Sequence, residues 1–282
     1  MNFKTILVNL NCESQVPELV AAAATVARPE KAHVTGVFVT PPLLTPSVVV
    51  FPMGSAFYDE QIAEYRATAE RIKAIFDDLT RGAGFVAEWR VHGDVYTASQ
   101  SIADGMIEEA RTADLVIVSQ GRGGLEPMLP DVAERVALES GRPVLVVPMT
   151  WMAGEYGHNI AVAWNGSRES TRAIFDALPL LERAERICLV TVGMQMSENG
   201  GNTIPSTELA ATMARHGLDV EVESIAVDEP CTADAILSQI AVDGADLLVM
   251  GAYGHSRMRE LILGGATRAV LKNMTIPVLM SH

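Results

Sequence analysis

Four glycines in the last third of the chain have the clearest capacity for chemistry. In the run GAYGHSRMRELILGGATRAVL, two residues separate Gly251 from Gly254, nine separate Gly254 from Gly264, and Gly265 follows at once. The first pair comes directly after the apolar run ADLLVM, and the second opens a helical segment at 266–273. Glycine permits a tight turn after a strand and leaves no Cβ between backbone and ligand. A helix start adds unpaired N–H groups and the positive end of the helix dipole, which favour phosphate. The chemistry implied is an anion cradle, with the Thr267 hydroxyl as a further donor and His255 and Arg257 beside it. Met258, Leu261 and Ile262 are spaced to anchor a short helix between the two pairs. Glycines often do no more than end strands and cap helices. Here two pairs fall at a strand end and a helix start, which favours the cradle over that reading.

Other constellations are thinner. Ser167 and His158 supply the residue types of a nucleophile and a base, but no orienting acid accompanies them in the sequence. No GxSxG elbow, HExxH or Walker A motif is present. Cys12, Cys188 and Cys231 lie far apart and share no paired spacing with the histidines. They form neither a disulfide framework nor a zinc pattern, and they suit a reducing cytoplasm. The sequence therefore assigns no catalytic residue and no metal ligand.

The elements that must position these residues are written twice. Residues 4–11 (KTILVNLN) match 158–165 (HNIAVAWN), each an apolar run ending in asparagine. A helical segment follows each, at 16–27 and 170–181, and then a second apolar run, at 33–39 and 186–192. Later, ADLVIVS (113–119) parallels ADLLVMG (245–251), and RPVLVVP (142–148) parallels IPVLMSH (276–282). Near-continuous Val, Ile and Leu runs fit strands covered on both faces of a parallel sheet. Apolar residues three and four apart mark the intervening helices, as with Ile62, Tyr65, Ala69, Ile72 and Phe76, or Ile236 and Ile240. Residues 208–215 read as an ordinary amphipathic helix. The alternation predicts two open α/β domains with helices on both faces, at 1–150 and 151–282, joined by a linker at 149–157. In such sheets ligands sit beyond the carboxyl ends of the strands, where the strand order reverses. The last strands, 143–147 and 277–280, are the expected contact between the halves, because pairing them covers two sheet edges.

Composition narrows the partners. The 282 residues carry 35 acids against 21 bases, a net charge of -14, with 49% hydrophobic residues. That is enough apolar material for a full core. The charge argues against broad binding to nucleic acid or an anionic membrane. Residues 32–58 hold no formally charged side chain, yet Pro41, Pro42, Pro46 and Pro52 forbid a spanning helix. They read as a strand followed by a proline-stiffened apolar loop that packs on the protein itself; a lid or a partner patch is the alternative.

On these residues the whole chain resembles a tandem universal stress protein, two copies of a small α/β nucleotide-binding domain in one polypeptide. The fold this implies is a pair of open parallel sheets, Rossmann-like and of the adenine nucleotide alpha hydrolase type. ATP-binding members carry Gly, two residues, Gly, nine residues, Gly, then Ser or Thr. Gly251, Gly254 and Gly264 satisfy that pattern, but Gly265 stands at the Ser/Thr position. Loss of one hydroxyl contact typically costs about 0.5–1.5 kcal/mol, which weakens binding without abolishing it. The family also places an acidic residue after its first strand, where this chain has Asn165 and, in the first half, Asn11. The resemblance implies that Ala163, Trp164 and Asn165 border the nucleoside, Val192 offers backbone to adenine and Met250 lies under it. Gly251, Gly254, His255, Gly264, Gly265, Ala266 and Thr267 would complete the site around the phosphates. From its residue type alone, Trp164 reads equally as a core aromatic at a strand end. The implied ligand is ATP, ADP or AMP, with or without Mg.

The first half departs from this pattern. Pro130 and Asp131 stand where Gly264 and Gly265 do, and Ser119 and Arg122 replace Gly251 and Gly254. Proline donates no N–H, and an aspartate at that point would repel phosphate while capping the helix VAERVALES. The expectation is a degenerate first half that mimics the anion with its own side chain; a small anion nest at Gly121, Gly123 and Gly124 is the minor alternative.

The leading functional expectation is a cytoplasmic stress-response or regulatory protein. It would bind an adenine nucleotide in its C-terminal domain and signal to an unidentified protein partner as a switch, with slow hydrolysis at most. A second class is a nucleotide-free binding or scaffold module working through the apolar residues 43–57. A third, an adenylating enzyme, would need a Lys or Arg aimed at an α-phosphate, and the acidic chain has few candidates. No nucleic acid and no membrane span are expected. The two domains would pair within the chain, and dimerisation of the whole chain is a further expectation.

Overall fold

The computed structural model describes residues 2–43, 55–93, 101–121, 132–192, 206–225, 232–253 and 265–282. The first half runs β1 (Thr5–Asn9), α1 (Val16–Glu30), β2 (His33–Val39), α2 (Ser55–Thr80), β3 (Val86–His92), α3 (Ile102–Ala110), β4 (Leu115–Ser119), α4 (Val132–Glu139) and β5 (Val144–Val147). The second runs β6 (Asn159–Trp164), α5 (Arg168–Asp176), α6 (Leu178–Leu181), β7 (Arg186–Val192), α7 (Ser206–Arg215), β8 (Glu221–Ile225), α8 (Thr232–Asp243), β9 (Leu247–Gly251), α9 (Gly265–Asn273) and β10 (Val278–Ser281).

These strands form one sheet in the order β3-β2-β1-β4-β5-β10-β9-β6-β7-β8. Within each half every pairing is parallel. The halves join antiparallel through the expected edges, with Val144, Leu145 and Val146 opposite Met280, Leu279 and Val278. The joining strands β5 and β10 are buried along their whole lengths. An apolar layer covers each face and continues across both halves. One packs α1 and α2 beside α5, α6 and α7 through residues such as Leu19, Ile72, Ile174, Leu181 and Met213. The other packs α3 and α4 beside α8 and α9 through Met106, Val136, Ile240 and Val270. This explains the near-continuous apolar runs: a central strand has no solvent face.

Several expectations change in detail. The helical segment 170–181 is two helices, α5 and α6, broken at Ala177 because Pro179 enters the first turn of α6 and lacks an N–H. Strands β3 and β8 close the two outer edges and had no apolar run to announce them. Both are half-exposed and carry charges, as edge strands commonly do. The linker is docked: Tyr156 is buried, donates to the Ala22 carbonyl of α1 at 2.8 Å, and meets Trp151 edge-on. Of the apolar surface at 43–57, residues 44–54 lie outside the described residues, and 55–57 belong to α2 rather than to a loop. Among the described residues no helix is long and apolar enough to cross a membrane.

Candidate functional site

In the second half the strand order reverses between β6 and β9, so their carboxyl ends form the crevice that such sheets use for ligands. Ala163 pairs with Met250, which brings Trp164–Asn165 and Gly251–Ala252 out of the sheet side by side. Thr191 pairs with Trp164, so the Val192 backbone stands at the neighbouring strand end. Over this edge α5 begins. Ser167 caps it, its Oγ accepting from the Ser170 N–H at 3.1 Å, and Asn165 Oδ1 accepts from the Ser167 N–H at 3.1 Å. The capped turn presses on β9. A Cβ built on Gly251 would lie 2.5 Å from the Ser170 nitrogen and 2.6 Å from the Glu169 carbonyl carbon. The missing side chain of Gly251 therefore accommodates a helix start, a packing role the glycine spacing alone did not reveal.

Helix α9 starts beside the same crevice. Thr267 is buried, and its Oγ1 accepts from the Tyr253 N–H at 3.2 Å. That contact holds the first turn of α9 against the exit of β9, where Tyr253 adopts the left-handed conformation at φ 59°. Gly265 is exposed at the helix start, and a Cβ there would meet nothing within 4 Å. Among the described residues no contact requires this glycine.

Thus Ala163, Asn165, the Val192 backbone, Met250, Gly251, Gly265, Ala266 and Thr267 gather at one crevice. Gly254, His255 and Gly264 lie outside the described residues, as do Arg257, Met258, Leu261 and Ile262. Trp164 parts from the group. Its side chain, 3% exposed, packs with Val162 and Ile174 in the α5–α7 layer, whereas Ala163 and Met250 belong to the opposite layer. Strand parity carried this signal, since Ile160, Val162 and Trp164 must share one face. The indole N–H has no hydrogen-bond partner among the described residues.

The corresponding crevice of the first half is built differently. Asn11, the counterpart of Asn165, donates from Nδ2 to the Val39 carbonyl at 2.7 Å and accepts the Val39 N–H on Oδ1 at 3.1 Å. Val39 is the counterpart of Val192. One amide side chain thus occupies both backbone groups at the strand end where the second half would meet a base. Pro130 and Asp131, and the loop glycines 123 and 124, lie outside the described residues.

The two halves also touch outside the joined strands. Gln120, just after β4, donates from Nε2 to the carbonyls of Leu271 at 2.6 Å and Lys272 at 3.2 Å, at the C-terminal end of α9. Its Oε1 accepts from the Met149 N–H at 3.0 Å. Arg268 of α9 pairs with Glu134 of α4 at 3.4 Å. Burial raises the pKa of the Tyr253 hydroxyl above its ordinary value, and the neighbouring Glu134 charge adds to the effect.

Chemically, the crevice has a helix start and backbone donors suited to an anion, and no group poised for proton transfer among the described residues. Ser167 and His158 do not meet: they flank opposite ends of β6, whose six residues span about 20 Å at roughly 3.3 Å per residue. The Ser167 hydroxyl serves as a helix cap.

An open, parallel α/β domain with its crevice at the strand-order switch, used twice and joined edge to edge, places the protein in the class of tandem Rossmann-like proteins. The universal stress protein family model matches residues 2–148 and 157–282, and the chain belongs to that family. Universal stress protein Slr1230 of Synechocystis is 30% identical over 148 residues, 52% of this chain and 49% of that protein. The match therefore spans about half the length of this curated relative. A crystal structure of a universal stress protein from Archaeoglobus fulgidus superposes with a TM-score of 0.70 at 17% identity, over 100% of this chain and 99% of that one. The cytoplasmic domain of a prokaryotic cation chloride cotransporter shares the fold at TM-score 0.53 and 10% identity, over 99% and 96% of the chains.

Proposed function

We propose that the protein is a stress-response regulator that binds an adenine nucleotide, ATP or its di- or monophosphate, in the crevice of its second half. Nucleotide state would act as a conformational signal to a protein partner, with turnover slow or absent. The observation that carries this reading is Gly265: an exposed glycine at a helix start, beside the strand-order switch, that no packing contact among the described residues explains. Its N–H and the dipole of α9 suit phosphate. The self-satisfied Asn11–Val39 arrangement supports assigning binding to residues 151–282 and a degenerate role to 1–150. The contacts of α9 with Gln120 and Glu134 support a switch, because a ligand that draws on the start of α9 acts on a helix already tied to the first half.

The test is direct. Protein purified without added nucleotide is denatured and its supernatant assayed for adenine nucleotides, and the native protein is titrated with ATP. Nucleotide found by neither route removes this reading. Gly254→Val is expected to abolish binding, while Gly123→Val leaves it unchanged; equal loss from both would overturn the assignment to the second half.

A further inference from the structure

Because the halves are copies, corresponding side chains can be compared within one molecule. Strand register aligns His33, Thr35, Glu88 and Arg90 of β2 and β3 with Arg186, Cys188, Glu221 and Glu223 of β7 and β8. In the first half the Arg90 guanidinium lies between two carboxylates, donating to Glu88 at 2.9 Å and to Glu109 on the following helix. In the second half that position is Glu223, and the carboxylate it faces on the following helix is Asp243. The positive group is gone while the negative ones remain.

What stands there is a convergent donor set. Cys188 Sγ, a Glu223 oxygen and an Asp243 oxygen all lie within 4.8 Å of one another. Cys188 is 3% exposed and is aimed into this space from β7. Gln239 Nε2 donates to Glu223 Oε2 and, at 3.0 Å, to Asp243 Oδ1, holding both carboxylates in place. Asp243 Oδ2 is buried with no hydrogen-bond partner among the described residues. The neighbouring cation, Arg186, is committed to Glu221 at 2.6 Å and to the Asp243 backbone carbonyl at 3.4 Å. Burial, with the charges of Glu223 and Asp243, pushes the Cys188 thiol up to about 12, so nothing in the protein alone favours the thiolate.

We propose that Cys188, Glu223 and Asp243 bind one divalent transition-metal ion of the zinc class. A thiolate with two carboxylates is a mixed soft and hard donor set, which suits zinc-like ions and not magnesium or calcium, whose sites are all oxygen. Zn–S and Zn–O bonds of about 2.3 and 2.0–2.2 Å need the donors to close by roughly 1 Å from their present limit. Three protein ligands leave the fourth tetrahedral position to water. On binding, the Sγ–H bond breaks, the Sγ–metal bond forms, and the proton passes to solvent. Glu223 and Asp243 are only partly buried, which leaves an entry path. Gln239 takes the supporting role of orienting the ligands.

The test uses the full-length protein, stripped with a chelator and titrated with Co2+ as the spectroscopic probe. One equivalent is expected to bind with a thiolate-to-cobalt charge-transfer band, displaced by Zn2+ and unaffected by excess Mg2+, whether or not ATP is present. Cys188→Ala should remove the band with an unchanged circular dichroism spectrum, while Cys12→Ser and Cys231→Ser retain it. Gln239→Ala should weaken binding about 10–100-fold. Glu223→Arg restores the first half's charge pattern, and should lose metal binding beyond that range while melting no lower than the parent protein. A wild-type protein without the band, or a band that survives Cys188→Ala or Glu223→Arg, overturns the proposal. Because none of these readouts needs nucleotide, failure here leaves the nucleotide reading standing, and the reverse holds too.

Discussion

A methyl group added at Gly251 would enter the backbone of α5, 2.5 Å from the Ser170 nitrogen, whereas one added at Gly265 would meet none of the described residues within 4 Å. The two glycines therefore make opposite predictions. Gly251→Ala should destabilise the protein by about 1–3 kcal/mol, the usual cost of overpacking, with or without nucleotide. Gly265→Ala should leave the melting temperature unchanged or slightly raised, since glycine in a helix is disfavoured by roughly 0.5–1 kcal/mol relative to alanine. Its effect should appear in ATP affinity. Thermal melts of both variants, with and without ATP, check the pair; a Gly265→Ala protein that loses stability but keeps full affinity would assign the residue to packing. The same logic separates Trp164 from Ala163. Alternation along β6 sends one side chain to each layer, so Trp164→Phe should alter stability before it alters nucleotide binding.

At the scale of elements, α3 supplies a test of how its start is fixed. Ser101 caps the helix, accepting from the Asp104 N–H, while Asp104 Oδ2 accepts from the Ser101 N–H at 2.9 Å. Arg135 of α4 donates to Asp104 Oδ1 at 2.6 Å and, with Ser101, holds that carboxyl at about 2. A carboxyl whose folded pKa lies below its unfolded value, about 3.9, contributes stability above that pH and loses it as pH falls toward 2. Asp104→Asn should therefore cost up to about 1 kcal/mol at pH 7 through the weakened cap. The carboxylate is partly exposed, so screening keeps its ionic share small. In urea melts at pH 7 and pH 3 the gap to wild type should narrow at the lower pH; a constant gap would place the effect in geometry alone. Elements of this kind differ in how plainly the amino-acid sequence announces them. Buried strands such as β4 and β9 were legible because both faces need apolar residues. Strands β3 and β8 were not, because an edge strand such as EWRVH mixes charge with apolar residues and shows no continuous run. The break between α5 and α6 was hidden by apolar spacing that continues across Pro179. Part of the candidate crevice, the exit of β9 and the start of α9, was legible from glycine spacing and from the family resemblance. The Asn11–Val39 contact and the Cys188, Glu223 and Asp243 set were not, because they join residues 28, 35 and 20 positions apart through strand register.

The whole molecule behaves as one sheet whose midline is the β5–β10 pairing, and the first half lies against α9, the helix that starts at the proposed binding crevice. Gln120 is the sharpest probe of that arrangement. Its amide accepts from the Met149 N–H in the first half and donates to two terminal carbonyls of α9 in the second. Terminal helix carbonyls have no partner within their own helix, so these bonds fix where α9 ends. Gln120→Ala removes all three and should lower global stability by roughly 1–3 kcal/mol. If the first half serves the second as more than an edge cover, it should also weaken ATP binding. A loss of about fivefold or more would match the lower end of ordinary coupling energies. The binding loss must exceed that of a control with similar destabilisation far from α9; Tyr156→Phe, which removes the 2.8 Å contact to Ala22 on the other sheet face, is suitable. Isothermal titration of both variants at a temperature where each is fully folded makes the comparison. Equal affinities would confine the first half to covering an edge. A selective loss in Gln120→Ala would show that the first half sets the affinity of the site proposed in the second.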